Sequence, residues 1–239
     1  MNLKGYFGVK RLGDITWSHA VNSREKLDRT LADPKVMIVE SDMRVSQSGE
    51  VVAVHPPETE SDLAVGELIE KVAQSHKGLK LDFKDQGAVE RVLRILGLLG
   101  QDRPVILNGD ILQGNGAKDP GVEAGVFLRL CSEGYPVGLL SIGWTTMADP
   151  NLPYTQQNVE EMARLAEGVG EATFPARACL LPNSWPALTW LLGQGNHSLT
   201  VWNNEPVGPE LIDWIKENTD PDKTMYDFID ERRESVRLW

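Results

Sequence analysis

Disulfides, long apolar runs and an excess of positive charge are all missing from this chain. Cys131 and Cys179 are its two cysteines in 239 residues, too few for a disulfide framework. No stretch approaches the ~20 consecutive apolar residues of a membrane span. The start, Met1 to Val9, carries neither a long apolar region nor a small-residue cleavage site, so no signal peptide is expected. The default expectation is therefore a soluble, cytoplasmic protein with no transmembrane segment. Lys+Arg number 24 against 35 Asp+Glu, for a formal net charge of −11. That balance speaks against nucleic acid as a partner, because neutralising phosphates takes a basic surface. It leaves room for a small phosphorylated ligand, since a few local cations and a metal override the global field.

What is present is a core. Hydrophobic residues make up 41% of the chain, enough to exclude global disorder. No composition shift, linker or internal repeat is visible, so residues 1–239 read as a single domain. Short β-branched runs at Ile15–Ser18, Val36–Met43, Leu79–Phe83, Val105–Asn108, Val137–Ile142, Ala172–Arg177 and Ser198–Trp202 predict strands. Between them, helical spacing predicts Ser23–Ala32, Val65–Gln74, Ala88–Leu99, Val122–Glu133, Gln156–Gly168, Trp185–Leu192 and Pro209–Asn218. Asp119-Pro120 and Asn183-Ser184 read as helix starts. Strand–helix alternation implies a parallel sheet with helical crossovers. No Gly-rich phosphate loop follows the first strand, which leaves a dinucleotide-binding fold unsupported. An α/β fold of the TIM-type (β/α) barrel kind suits the number of units. Val51–His55 reads as a hairpin arm on the second strand, leaving seven barrel strands and one position irregular or missing. The charge-rich tail after Asp220 reads as a last helix or a strap.

Polar groups stand where the strands should be apolar. Period-two alternation puts Val36, Ile38, Glu40 and Asp42 on one face, apolar deep in the barrel and doubly acidic at its carboxyl end. Barrel active sites are built at that end. Two carboxylates on one face repel and call for a cation or a shared proton. The next strand repeats the device with Lys80, Asp82 and Lys84. The bland reading is that these lysines neutralise the acids internally. The sharper one is a divalent site, in which three carboxylate oxygens, from Glu40, Asp42 and Asp82, suit Mg²⁺ or Ca²⁺. Scarce His and unclustered Cys argue against structural zinc. His19 and His55 end neighbouring strands and form a candidate acid–base pair. His76 and His197 read as surface residues. Asn108 and Asp110 end another strand and offer ligand contacts. Arg177 is placed to grip a phosphate or to pair with an acid. Trp144 and Asn203-Asn204 read as core and turn.

The order His19, Glu40-x-Asp42, His55, Asp82-x-Lys84 resembles the glycerophosphodiester phosphodiesterases and the spider-venom sphingomyelinase D enzymes, of the phosphatidylinositol-phospholipase-C-like barrel superfamily. More closely, the chain looks like a menorin-family protein, on Ile15–Asn22, Met37–Asp42, Ala53–Thr59, Gly78–Lys84, Leu107–Leu112, Ser141–Thr146, Thr173–Ala178 and Ser198–Trp202. The phosphodiesterase resemblance implies that Glu40, Asp42 and Asp82 hold a metal and that His19 and His55 exchange protons. It further implies that Lys84 stabilises phosphoryl charge and that Trp202 lines the pocket. Lys80, Asn108 and Arg177 join Trp202 as substrate-binding candidates. Two features depart from it: Ala20-Val21 follows His19 where an Arg-Gly pair is usual, and no long insertion follows His55. The function so implied is metal-dependent cleavage of a glycerophosphodiester- or lysophospholipid-like substrate. The alternatives are a non-catalytic ligand- or protein-binding barrel, and an enzyme forming a Schiff base on Lys80 or Lys84. Neighbouring carboxylates disfavour the Schiff base by keeping a lysine protonated.

Overall fold

The structure is a computed structural model and describes residues 1–231 and 235–236. Its strands are β1 (Trp17–Ser18), β2 (Ile38–Val45), β3 (Val51–Ala53), β4 (Gly78–Phe83), β5 (Val105–Gln113), β6 (Leu139–Thr145), β7 (Ala172–Arg177), β8 (Ser198–Trp202), β9 (Thr224–Ile229) and β10 (Ser235–Val236). The helices are α1 (Leu3–Phe7), α2 (Arg24–Ala32), α3 (Val65–Ala73), α4 (Gln86–Leu93), α5 (Ala124–Gly134), α6 (Gln156–Ala166), α7 (Leu181–Leu192) and α8 (Pro209–Asn218). The sheet runs β1-β2-β4-β5-β6-β7-β8-β9-β10, with β3 paired to β2 as an antiparallel arm and β10 antiparallel on β9. The other eight strands are parallel neighbours and make a nearly closed (β/α) barrel. No ladder joins β1 to β9 among the described residues, so the barrel keeps a seam.

Alternation along each strand sorts the residues. Val39, Leu81, Leu107, Ile142, Phe174 and Val201 point outward into the layer beneath the helices. α3 shows why those helices dock: Val65, Leu68, Ile69 and Val72 fall on one stripe and are all buried. Inside, Trp17, Ile38, Ile106, Leu139 and Met225 fill the floor, and Leu3 of α1 joins them from below. The parallel register stacks the inward residues in rows. One row reads Glu40, Lys80, Ile106, Leu139; the row above reads Asp42, Asp82, Asn108, Ser141. Another reads Arg177, Trp202, Asp227.

Several expectations change. The tail after Asp220 contributes β9, the eighth barrel strand, rather than a helix or a strap. Its Thr224, Met225, Tyr226, Phe228 and Ile229 are all buried, but the flanking charges hid so short a run. α7 begins at Leu181, four residues past the end of β7, with a proline in its first turn, instead of at Asn183-Ser184. α5 is capped by the Glu123 carboxylate, which accepts from the Gly125 and Val126 amides, rather than by Asp119-Pro120. The Ala88–Leu99 helix divides into α4 and a 3-10 turn at Leu96–Leu99. His197 is buried, 8% exposed, with its ring against Phe174, and is not a surface residue. No helix among the described residues is long and apolar enough to cross a membrane.

Candidate active site

Glu40, Asp42 and Asp82 converge at the carboxyl end of the barrel, with one oxygen from each inside a mutual separation of 4.8 Å. Their convergence follows from the register: Asp42 lies directly beside Asp82, and Glu40 sits two residues deeper on the same face. Each carboxylate is held. Glu40 Oε2 accepts the Ala20 amide at 2.6 Å, Asp42 Oδ2 accepts Asn22 Nδ2 at 2.6 Å, and Asp82 Oδ1 accepts Asn108 Nδ2 at 2.8 Å. Lys84 Nζ bridges Asp82 at 2.7 Å and Asp42 at 3.1 Å. For Glu40 and Asp82 burial acts first. It pushes the Glu40 carboxyl up to about 7, with His19 pulling back and Asp42 adding to the rise. For Asp82, Lys84 and Lys80 outweigh burial and hold the carboxyl below its ordinary value.

His19 follows β1 and completes a second cluster with Glu40 and Asp227. Its Nδ1 lies 3.0 Å from Asp227 Oδ2 and 3.5 Å from Glu40 Oε2. With a carboxylate at Nδ1, that nitrogen donates and Nε2 is the atom left for other work. Burial lowers the imidazole's pKa, but Asp227 and then Glu40 overcome it and raise it to about 9. Asp227 comes from the unforeseen β9 and is fully buried, and its Oδ1 has no hydrogen-bond partner. The His19–Asp227 bond also crosses the seam that no ladder closes.

The remaining candidates divide. Lys80 is buried in the lumen with Nζ 5.7 Å from the Trp17 ring centroid; burial lowers its pKa, but Glu40, Asp227 and Asp82 raise it on balance. Lys84 is raised further, against burial, by Asp82 and Asp42. Both lysines are thus held protonated, which is unsuited to Schiff-base formation. Asn108 is engaged at both ends, giving Nδ2 to Asp82 and accepting from Ser141 Oγ, and so it orients Asp82. Asp110, on the same strand, is pushed up to about 7 by burial and by Asp82. Arg177 and Trp202 stand side by side, with the guanidinium 5.2 Å from the ring centroid. His55 is exposed at the rim, one residue past Val54, whose amide donates to the Asp42 carbonyl. Its Nδ1 lies 2.6 Å from the Pro56 carbonyl, which leaves Nε2 as an acceptor. Trp144 is core, as expected.

Two positions escaped the sequence reading. Asn22 accepts the Asp42 amide on Oδ1 while giving Nδ2 to the Asp42 carboxylate, and nothing in its spacing announces that fork. Asp227 could be found: it interrupts an apolar β-prone run, as Glu40 does.

The carboxylate set fits a hard divalent cation. Three oxygens from different stretches of chain stand within reach of one ion, and the rise of the Glu40 carboxyl, caused first by burial and then added to by Asp42, is one that a bound cation would offset. A family model described as the menorin N-terminal domain matches residues 12–233. A human relative, Protein FAM151B, is 32% identical over 237 residues, covering 94% of this chain and 86% of its own length. Among solved structures, orotidine 5'-monophosphate decarboxylase from Methanocaldococcus jannaschii superposes with a TM-score of 0.53 at 13% identity, over 90% of this chain and 88% of that one. That likeness shows the barrel fold alone. A glycerophosphodiester phosphodiesterase from Agrobacterium tumefaciens superposes with a TM-score of 0.47 at 11% identity, over 89% of this chain and 95% of that one.

Proposed function

The chain belongs to the menorin family, and from that premise we propose that its barrel mouth is a divalent-metal-dependent phosphodiesterase site. The observation that carries the reading is the convergence of Glu40, Asp42 and Asp82 beside a carboxylate-held imidazole. Those three oxygens would hold Mg²⁺ or Ca²⁺, which would supply charge stabilisation for a phosphoryl oxygen. The chain's own residues do the rest. Lys84, fixed over Asp82 and Asp42, meets the negative charge that builds at phosphorus. His19 gives its Nδ1 proton to the Asp227 hydrogen bond and presents Nε2 to the leaving oxygen as donor. His55 presents Nε2 from the rim and takes the proton of the attacking hydroxyl. That hydroxyl belongs either to water or to the substrate itself, in which case the product is a cyclic phosphate. Lys80, Arg177 and Trp202 line the space for a small glycerophosphodiester- or lysophospholipid-like substrate.

A second reading has one observation in its favour. Lys84 already neutralises Asp42 and Asp82 internally, which suits a barrel that binds a ligand or protein without chemistry. Thermal melts separate the two. A specific cation at 100 times its dissociation constant should stabilise the wild type by about 2.7 kcal/mol. Hydrolysis of glycerophosphodiesters should appear with it and vanish with chelator. Absence of both effects overturns the first reading in favour of the second.

A further inference from the structure

On the far side of the mouth stands a cation that the proposed chemistry does not use. Arg177 ends β7 and is 8% exposed, yet no carboxylate among the described residues lies within salt-bridge distance of it. Its side chain hydrogen-bonds neutral partners, Asn204 Oδ1 at 2.7 Å and the Cys179 thiol. Its Nε is buried without a partner, and the plane lies over Trp202. A buried guanidinium with no counter-charge among the described residues is costly, and this one is backed by an aromatic face and anchored by side chains that do not neutralise it. Such an arrangement is a receptor for an anion that comes and goes, whereas a structural arginine would have acquired an acid.

The anion is not the scissile phosphate. β7 stands opposite β2 in the order of eight parallel strands. Strands about 4.8 Å apart and tilted about 36° place opposite walls roughly 15 Å apart. Lys84 is folded onto Asp82 and Asp42 on one side, and Arg177 lies along Trp202 and Asn204 on the other. With both cations held along their walls, one tetrahedral anion does not span the gap. The inward residues of β6 and of β7 below its rim carry no charge, namely Ser141, Gly143, Thr173 and Pro175, with the Pro175 ring and the Asp110 carboxylate packed against Gly143.

We propose that Arg177, backed by Trp202 and held by Asn204, recognises a second oxyanion on the diester substrate, a phosphomonoester or carboxylate one short linker away from the phosphorus. The inference rests on the phosphodiesterase reading for the position of the scissile group. It makes Arg177 a specificity residue with no part in proton transfer.

Calorimetric titration of the full chain with magnesium tests it on two matched pairs. Glycerophosphoglycerol phosphate differs from glycerophosphoglycerol by a phosphomonoester, and glycerophosphoserine differs from glycerophosphoethanolamine by a carboxylate. The member with the extra oxyanion should bind at least about tenfold more tightly in one pair, and which pair responds identifies the group. Arg177→Gln should erase that advantage. Arg177→Lys should keep about a third of it or less, because the fork is lost while the charge stays. Asn204→Ala, which leaves the arginine in place, should reduce it several-fold and guards against a folding defect in the arginine variants. An advantage that persists in Arg177→Gln, or its absence from both pairs in the wild type, overturns the proposal. If hydrolysis is never seen but the advantage and its loss both are, the recognition stands and the phosphodiesterase chemistry falls.

Discussion

The two halves of the barrel lumen are built on different terms. From β9 across the seam through β1, β2, β4 and β5, the inward residues include Asp227, His19, Glu40, Asp42, Lys80, Asp82, Lys84 and Asp110. From β6 to β8 they include Ser141, Gly143, Thr173, Pro175 and Thr200, with charge returning only at the rim in Arg177. Below that rim the neutral half satisfies itself: the Thr173 and Thr200 hydroxyls bond each other at 2.7 Å. The charged half does not, since Asp227 Oδ1 is left over and Glu40 and Asp110 are both pushed up to about 7. Below the rim, the unsettled electrostatics are concentrated on the side of the lumen where the proposed site stands.

The sharpest way to break this contrast is to remove its acids. Glu40→Gln or Asp82→Asn should weaken the cation by about 100-fold or more and abolish metal-dependent stabilisation in thermal melts. His19→Ala or His55→Ala should lower turnover by about 10²- to 10⁴-fold and leave the stabilisation in place. Hydrolysis retained in both histidine variants rejects the assigned roles. Asp227→Asn tests the unforeseen strand. It removes the acceptor that orients His19, so turnover should fall on the order of 10²-fold while metal affinity stays close to that of the wild type. A wild-type rate in that variant would reduce the His19–Asp227 bond to a clasp across the seam.

The same contrast explains what the sequence disclosed. Glu40, Asp42, Asp82 and Lys84 were legible because a charge inside a β-branched run violates the pattern of its surroundings, and period two then fixes which charges share a face. β9 obeys the same rule, but its six residues lie between Asp220-Pro-Asp-Lys223 and Asp230-Glu231, and the charge around it drowned the interruption. Asn22 and Asn108 were beyond the reach of pattern. Their work depends on which amide atom meets which oxygen, and that is set by packing between strands and the loop after β1. The helix starts failed for a local reason: Pro182 and Glu123 serve as first-turn residue and cap in place of the Asn-Ser and Asp-Pro signals nearby.

Smaller effects sharpen the comparison through pH. A group whose folded pKa exceeds its unfolded value carries extra protons when folded. Its contribution is complete below the unfolded value and is gone once pH passes the folded one. Glu40 (4.5 to about 7), Asp110 (3.8 to about 7) and His19 (6.5 to about 9) all belong to this class. The metal-free protein should therefore lose stability steadily as pH rises from about 4 to about 9. Denaturation midpoints at a series of pH values measure it, and a flat profile contradicts the charged half as described. In the neutral half, Thr200→Val leaves the buried Thr173 hydroxyl without its partner. It should cost about 1–3 kcal/mol at every pH and leave metal affinity unmoved.

The finest test concerns one backbone angle. Ala20 has φ of 50°, in the left-handed region that a side chain ordinarily avoids, and it is the one non-glycine residue with positive φ among those described. The conformation turns the chain sharply after His19 and aims the Ala20 amide at Glu40 Oε2, while the Val21 amide reaches the Glu40 carbonyl at 2.8 Å. Strain here serves to hold a carboxylate in the charged half, where the neutral half has nothing comparable. Glycine adopts that angle freely, so Ala20→Gly should raise stability by about 1 kcal/mol, less the extra entropy of its unfolded chain. If the turn is what presets Glu40, the same change should loosen the metal site slightly, so that stability rises while cation affinity falls by about two- to threefold. A variant gaining in both would show that the angle is incidental to the site.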